Sequence, residues 1–304
     1  MVAQVGGSGV LERLVGLAGA DLNTLLLEVM RRRAARLGPA QVMRRYRDDR
    51  FVGPSPVSFA GLREARERLV GALPSSFSVV TLAPVAPFGA HSVVGTVNQN
   101  NVVTTVRGNE VAADPTNGLA LEAAVRRSAL SGAAGAAAVV RLAAVQRVVR
   151  AQAFAGDGRY AHFELLGVVT AGRDVGNLEF ERLHLVEHLS LHARALRAPS
   201  ISSVSIVLTV LDPQFSAVAE HARAVLGSAP STEVVLDPAR EGGRAYYSGL
   251  CFKVHAVIDG EQVEISDGGF TDWTRRLLGN RKERLLISGA GVDRLAGVLA
   301  GAPA

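Results

Sequence analysis

Near the end of the 304-residue chain, Ile287-Ser288-Gly289-Ala290-Gly291-Val292-Asp293-Arg294-Leu295 combines small residues with a single arginine. The pattern predicts a strand running into a helix, with the arginine just inside its first turn. Glycines 289 and 291 let a flat ligand lie against the backbone, and Arg294 sets a permanent cation beside it. Two more arginines, Arg150 and Arg159, bracket a Gly/Asp loop that leads into Tyr160-Ala161-His162-Phe163-Glu164. Guanidinium groups stay ionised and can grip phosphate oxygens two at a time. Taken alone, the same residues also read as hairpin surface charges and as glycines that allow close strand–helix packing. Tyr246-Tyr247 reads likewise as one core and one exposed aromatic of a strand. No serine sits in a nucleophile elbow, and no Walker-type Gly-Lys-Ser/Thr loop is present. His184, His188 and His192 recur every four residues, a spacing that can share a metal. No cysteine or second histidine cluster completes a coordination sphere, so no metal ligand is assigned. The histidines are read as the polar face of a helix whose apolar side is Leu183, Leu185, Val186 and Leu189.

Holding such groups in place takes a sheet with helices around it. Residues 1–9 read as a flexible lead. From Val10 to Leu37 apolar residues recur at three- and four-residue spacing, which predicts amphipathic helix with Asp21 as a cap. Residues 31–50 hold eight arginines against Asp48 and Asp49. This stretch is either a solvated helix face or a contact surface for RNA or phosphate, with only Tyr46 and Phe51 as nearby aromatics. A helix is predicted over 61–73, and several short strands over Val79–Val106, broken by prolines, Gly89 and Asn98-Gln99-Asn100-Asn101. Asp114-Pro115-Thr116-Asn117 opens a helix running through Leu130. Strands are predicted at 144–154, 161–170, 201–211, 233–236, 247–258 and 261–266, with helices at 178–196, 214–227 and 292–300. This order fits an α+β fold, a mostly antiparallel sheet with flanking helices, better than βαβ alternation.

The Gly-Ala-Gly-Val-Asp-Arg-Leu run at 289–295 resembles the third signature motif of class II aminoacyl-tRNA synthetases. Five upstream segments resemble further landmarks of that family, in its order. Residues 61–84, ending Phe77-Ser78-Val79-Val80-Thr81-Leu82-Ala83-Pro84, are similar to the first motif, a dimer element. Arg107-Gly108-Asn109-Glu110 resembles the Arg-Pro-Glu segment after it, and Val149–Glu164 the strand-loop-strand second motif. Gly242 to Val254, containing Tyr246-Tyr247-Ser248-Gly249, resembles the element distinctive of histidyl-tRNA synthetases. Asp267-Gly268-Gly269-Phe270-Thr271-Asp272 resembles the Gly-Gly-Arg-Tyr-Asp segment between that element and the third motif.

The resemblance implies a helical, Arg-rich N-terminal arm (1–58) on a class II catalytic core (59–304). It implies ATP with Mg²⁺, and activation of an amino acid or related carboxylic acid to an adenylate. Transfer to a tRNA, a carrier protein or a small amine would follow. Arg150 then meets the α-phosphate and Arg294 the γ-phosphate, with Arg159 as a third phosphate contact. Gln152, Phe163, Gly289 and Gly291 complete the nucleotide side. Arg107, Glu110, Arg244, Tyr246, Tyr247, Gly268 and Gly269 form the amino-acid side. Either Glu164 or Glu179 would meet the magnesium. A homodimer is implied by the first motif.

Several positions depart from the family pattern. Gln152 stands where the family has glutamate, Gly242 where it has arginine, Lys253 where it has glutamate, and Phe270-Thr271 where it has Arg-Tyr. Either Arg240 or Arg244 could replace the missing arginine. The nucleotide side is better kept than the amino-acid side, so histidine is a doubtful substrate. No counterpart of the family's anticodon-binding domain follows the third motif, which argues against a housekeeping synthetase. The alternative is a non-catalytic regulatory or amino-acid-sensing subunit, as in the histidyl-tRNA synthetase-like subunit of ATP phosphoribosyltransferase.

Composition adds bounds. The net charge is +5, nearly all of it from arginine, since Lys253 and Lys282 are the only lysines. That permits a polyanionic partner. One cysteine, Cys251, argues against a disulfide framework and against a thiolate metal site. No membrane span or secretory signal is read, so a cytoplasmic protein is expected.

Overall fold

The computed structural model describes residues 2–130, 132, 137–152 and 160–301. Three helices come first, α1 (Ser8–Val15), α2 (Gly19–Ala34) and α3 (Pro39–Asp48), and none of them has a buried residue. Proline at the first position of α3 and the Gln41 side chain, which accepts from Gly38 N at 2.8 Å, fix where it starts. Helix α4 (Phe59–Gly71) begins two residues before the expected 61, because the Ser58 hydroxyl accepts from Gly61 N and caps it. Leu62, Ala65 and Leu69 form its buried stripe.

Between 79 and 106 the structure departs from the predicted run of strands. It contains β1 (Ser78–Val79) and β2 (Val85–Pro87), then a π-helical turn at Ala90–Val94 and a 3-10 turn at Gln99–Asn101. Next comes β3 (Asn109–Val111), which pairs with β2. The cause is Glu110, fully buried, which accepts from Gly89 N, His91 N and Gln99 Nε2 and bonds His91 Nδ1 at 2.7 Å. One carboxylate thus gathers backbone that a ladder would otherwise have used.

The remaining elements are α5 (Pro115–Ala129), β4 (Val140–Val149), β5 (His162–Arg173), α6 (Glu179–Ala195), β6 (Ser203–Val210) and α7 (Ser216–Leu226). After them come β7 (Thr232–Leu236), β8 (Leu250–Ile258), β9 (Glu261–Thr271), α8 (Trp273–Leu278), β10 (Glu283–Gly291) and α9 (Val292–Leu299). One eight-stranded sheet takes the order β1-β4-β5-β10-β9-β8-β6-β7. Only its outer pairs, β1 with β4 and β6 with β7, are parallel. The mostly antiparallel α+β architecture read from the sequence is therefore present. Among the described residues, no helix is long and apolar enough to cross a membrane.

The two faces of the sheet are unequal. Leu166, Val168, Leu286 and Ala290 point into a large core with α4, α6, α7 and α9. Val169, Ala171, Leu285 and Ile287 point the other way, onto Leu119, Ala120 and Ala123 of α5 and Trp273 of α8. The smaller second layer covers only part of its face, and the uncovered part holds the cleft described below.

Helix α6 buries more of its circumference than its sequence suggests: Leu185 and Leu189 are in the core as expected, and the histidines join them. His184, His188 and His192 are 1%, 0% and 1% exposed, while Leu183 stands 57% exposed. Polar partners on the strands make this possible. His188 lies 2.9 Å from both Thr170 Oγ1 and Ser288 Oγ. His192 lies 2.9 Å from Ser288 Oγ and 3.1 Å from Ser266 Oγ. A buried polar group with partners on both ring nitrogens is tolerated in a core.

Candidate active site

A cleft of about 370 Å³, the size of a small-molecule site, opens on the lightly covered face of the sheet. Its floor is β5, β9 and β10, and its ends are the start of α5, the turn before β8 and the first turn of α9. Gly289 lies on this floor. A Cβ there would meet only the Leu166 carbonyl oxygen at 3.6 Å, so a side chain would stand in the cleft itself. The absence of one gives a flat ligand direct access to the strand.

Two arginines reach the cleft from opposite ends. Arg150, just past β4, donates Nε to the Ala113 carbonyl at 3.1 Å and Nη2 to Asp114 Oδ2 at 3.2 Å. Its guanidinium lies 5.1 Å from the centre of the Phe163 ring. Arg294, in the first turn of α9, donates Nη1 to the Glu264 carbonyl at 2.6 Å and lies 3.8 Å from Glu264 Oε1. Each guanidinium has five N–H groups and, among the described residues, spends only some of them on the protein. Asp293 holds the start of α9 in place by accepting from Glu164 N at 2.6 Å, and burial raises its carboxyl pKa.

The opposite wall is aromatic and acidic. Tyr246 and Tyr247 occupy a 3-10 turn and the residue after it, not the strand predicted for them. Their rings meet edge to face at 5.1 Å, and Tyr246 packs the same way on Trp273. Burial pushes both phenols above their usual range, so both stay protonated donors. Behind them Arg240, 7% exposed, donates to both Asp267 oxygens at 3.0 and 3.1 Å. Of the two arginines left open by the sequence, Arg240 supports the cleft, while Arg244 is exposed and donates to the Arg240 carbonyl. Burial raises the Asp267 carboxyl, with Arg240 acting against it. Lys253 is no isolated base, since its Nζ lies 2.7 Å from Glu264 Oε2. Burial alone would raise Glu264; Lys253 and Arg294 bring it below the usual value.

Glu264 and Asp267 share the cleft face although they are three residues apart on a strand. A bulge at Ile265 explains this, because Val254 pairs with Ser266 and the next residue, His255, pairs with Glu264. Ile265 and Ser266 both turn to the large core, and the carboxylates flanking them turn to the cleft.

Several assigned residues sit elsewhere. Arg107 lies in the turn before β3 and Glu110 is sealed in the His91 loop, so neither lines the cleft. The cleft is lined instead by Asp114 and Thr116. In the sequence these residues signalled only a helix start, and Asp114 is indeed the cap of α5. Gln152 is exposed and lies outside the cleft lining, its carbonyl accepting from Arg50. Gly268 and Gly269 make room beneath the cleft, since a Cβ at Gly269 would lie 2.7 Å from Tyr247 Cδ1. Arg159 falls outside the described residues. Glu164 lines the cleft, held by Arg66 at 2.7 and 2.9 Å, whereas Glu179 pairs with Arg182 at the start of α6.

No family model matches the chain, and no curated protein matches it in sequence. Solved structures do. An ATP phosphoribosyltransferase regulatory subunit/histidyl-tRNA synthetase of Bacillus halodurans C superposes with a TM-score of 0.56 at 14% identity, covering 82% of this chain and 83% of that one. A histidine–tRNA ligase subunit of Alicyclobacillus acidocaldarius gives 0.59 at 15%, over 82% and 95% of the two chains. The apo histidyl-tRNA synthetase of S. aureus gives 0.60 at 11%, over 83% and 74%. The chain has a class II synthetase-like fold. At these identities the likeness is one of fold, and it is the fold that brings Arg150 and Arg294 around one floor.

Proposed function

We propose that the cleft activates an amino acid or related carboxylic acid with ATP, forming an acyl-adenylate. The observation that carries this reading is the convergence of Arg150 and Arg294 on one glycine-floored cleft. In the reaction a carboxylate oxygen of the substrate attacks the α-phosphorus, the bond to the bridging oxygen breaks, and pyrophosphate leaves. Arg150 would take the α-phosphate, and Arg294 the γ-phosphate at the far end of a bent triphosphate. Both are held in place before the ligand arrives, so they neutralise developing charge without reorganisation. Tyr246 and Tyr247, kept protonated, and the Asp114 and Asp267 carboxylates offer donors and acceptors to the acid.

Magnesium would supply charge neutralisation on the triphosphate when bound. Among the described residues no three His, Cys, Asp or Glu gather to hold a metal alone. The donor set therefore suits an ion that arrives with the phosphates and takes one carboxylate, Glu164. Homodimerisation through α4 and the segment to Pro84 belongs to the same proposal. Phe59 at 77% and Val79 at 54% exposure leave apolar surface there for a second copy.

The test is amino-acid-dependent exchange of labelled pyrophosphate into ATP, run with each of the twenty amino acids. Exchange with one of them, lowered at least about 100-fold in Arg294→Ala, is the expected result. Absence of both exchange and ATP binding would sink the proposal. A second reading, an amino-acid-sensing subunit, draws on the placement of Gln152 outside the cleft and on the Lys253–Glu264 pair in its wall. A sensor binds an amino acid without ATP and shows no exchange, and equilibrium binding separates the two.

A further inference from the structure

We infer that the arginine-rich arm, from the end of α2 through α3, is a binding surface for a nucleic-acid strand, which it leads to the mouth of the cleft. The first observation is charge without partners. Eight arginines fall within residues 31–50. Glu28 holds Arg31 and Arg32 at 2.7–2.8 Å. Among the described residues, Arg33, Arg36, Arg44, Arg45 and Arg47 form no ion pair. Asp49 is drawn away from them, accepting from Phe51 N at 3.0 Å.

The second observation is exposure. Every residue from 39 to 50 is exposed, so α3 has no side against the core. A ten-residue helix carrying unpaired like charges is marginal on its own in water, and an anionic occupant removes both problems. Guanidinium groups bind phosphodiesters bidentately. Tyr46, 51% exposed and set between Arg45 and Arg47, offers a ring on which a base can stack.

The third observation is where the arm leads. Arg50 donates to the carbonyls of Ala151 and Gln152, next to Arg150. His162 Nε2 donates to the Gly53 carbonyl at 2.7 Å, and Ser55 Oγ to Asp293 Oδ1 at 3.4 Å. Residues 50–55 therefore cross the end of β4, the start of β5 and the first turn of α9, the elements that position Arg150 and Arg294. An anionic bilayer also answers a basic amphipathic helix. Of the two, a nucleic-acid strand is the one whose end can enter the cleft. Binding along the arm stands whether or not the cleft adenylates; use of the strand end as acceptor rests on the adenylation reading.

The experiment uses the full chain. Fluorescence anisotropy measures its binding to a labelled single-stranded RNA of about 20 nucleotides over a series of salt concentrations, and flotation measures binding to phosphatidylserine-containing vesicles. The variant is Arg44→Gln/Arg45→Gln/Arg47→Gln, whose residues touch nothing in the cleft, so ATP binding and the melting temperature serve as its controls. We expect RNA affinity to fall with salt, and the variant to bind at least tenfold more weakly. Its log–log salt slope should be flatter by about 2, since each phosphate left without its arginine removes ~0.7 from the slope. Unchanged RNA affinity in the variant, no RNA binding, or loss of vesicle binding or of dimer mass with no RNA effect would each overturn it. Arg294→Ala in the same assay separates the two proposals, since it removes exchange and leaves RNA binding in place.

Discussion

Glycines on neighbouring strands serve opposite purposes in this protein. A methyl group at Gly289 meets a single atom at ordinary van der Waals distance and otherwise occupies ligand space. At Gly268 it would lie 2.5 Å from Phe252 Cζ and 2.7 Å from Ile287 O and Ser288 Cβ. We expect Gly289→Ala to leave the melting temperature within about 2 °C, as for a tolerated substitution, while weakening ATP binding about tenfold or more. Gly268→Ala should instead lower stability by roughly 2–3 kcal/mol through overpacking. Thermal melts and nucleotide titration of the two variants check both; equal effects on both readouts would remove Gly289 from the ligand site. The arginines show a similar division. Among the described residues, Arg150 and Arg294 keep donors open toward the cleft, whereas Arg240 spends its own on Asp267, Phe252 O and Gly242 O. The sequence left Arg240 and Arg244 level because it places both near the missing family arginine without showing which one folds inward.

Helix α6 stakes stability on neutral histidines. Burial pushes His192 down to about 4, and burial lowers His188 as well, with the nearby His192, His184 and Arg141 charges adding to it. Above the ordinary value of 6.5 the folded and unfolded chains both hold neutral rings. Below it the unfolded chain takes protons that the folded one refuses. The stability tied to His192 is therefore full above pH 6.5 and falls toward pH 4, by about 1.4 kcal/mol per pH unit, and His188 adds to the loss in the same direction. Urea denaturation at pH 7 and pH 5 measures this loss, and His192→Asn should roughly halve its slope. Equal stabilities at the two pH values would show that the rings titrate freely. Helical spacing in the sequence identified the histidines as one polar face; Leu185 and Leu189 are buried as expected, but the histidines are buried with them and Leu183 is not. The serines and threonine that receive the rings lie on three different strands, so no local pattern could show them. The bulge at Ile265 is equally silent, since strand alternation would have put Glu264 and Asp267 on opposite faces.

At the scale of the molecule the core carries the stability and the arm carries unsatisfied surface. Because α1–α3 bury no residue, removal of residues 1–49 should shift the melting temperature by no more than about 2–4 °C, the effect of roughly 1 kcal/mol in a chain of this size. A larger loss by calorimetry would mean that the arm is part of the folding unit. The α+β class, the order of most helices and strands, and the two arginines that reach the cleft were legible from the residues, because periodicity and small-residue runs are local properties of the chain. Strand order, the site of the cleft and the companions of those arginines were not. They depend on long-range pairing, which brings β5, β9 and β10 side by side and sets the cap of α5 against Arg150. The Arg107–Glu110 segment shows the difference. Its residue types matched a substrate-binding pattern, yet buried Glu110 folds the chain into the His91 loop, and Asp114 and Thr116 reach the cleft in its place. Side-chain chemistry is written in the sequence, but which groups share a volume is set by packing, because a carboxylate takes its strongest available partners wherever the fold brings them.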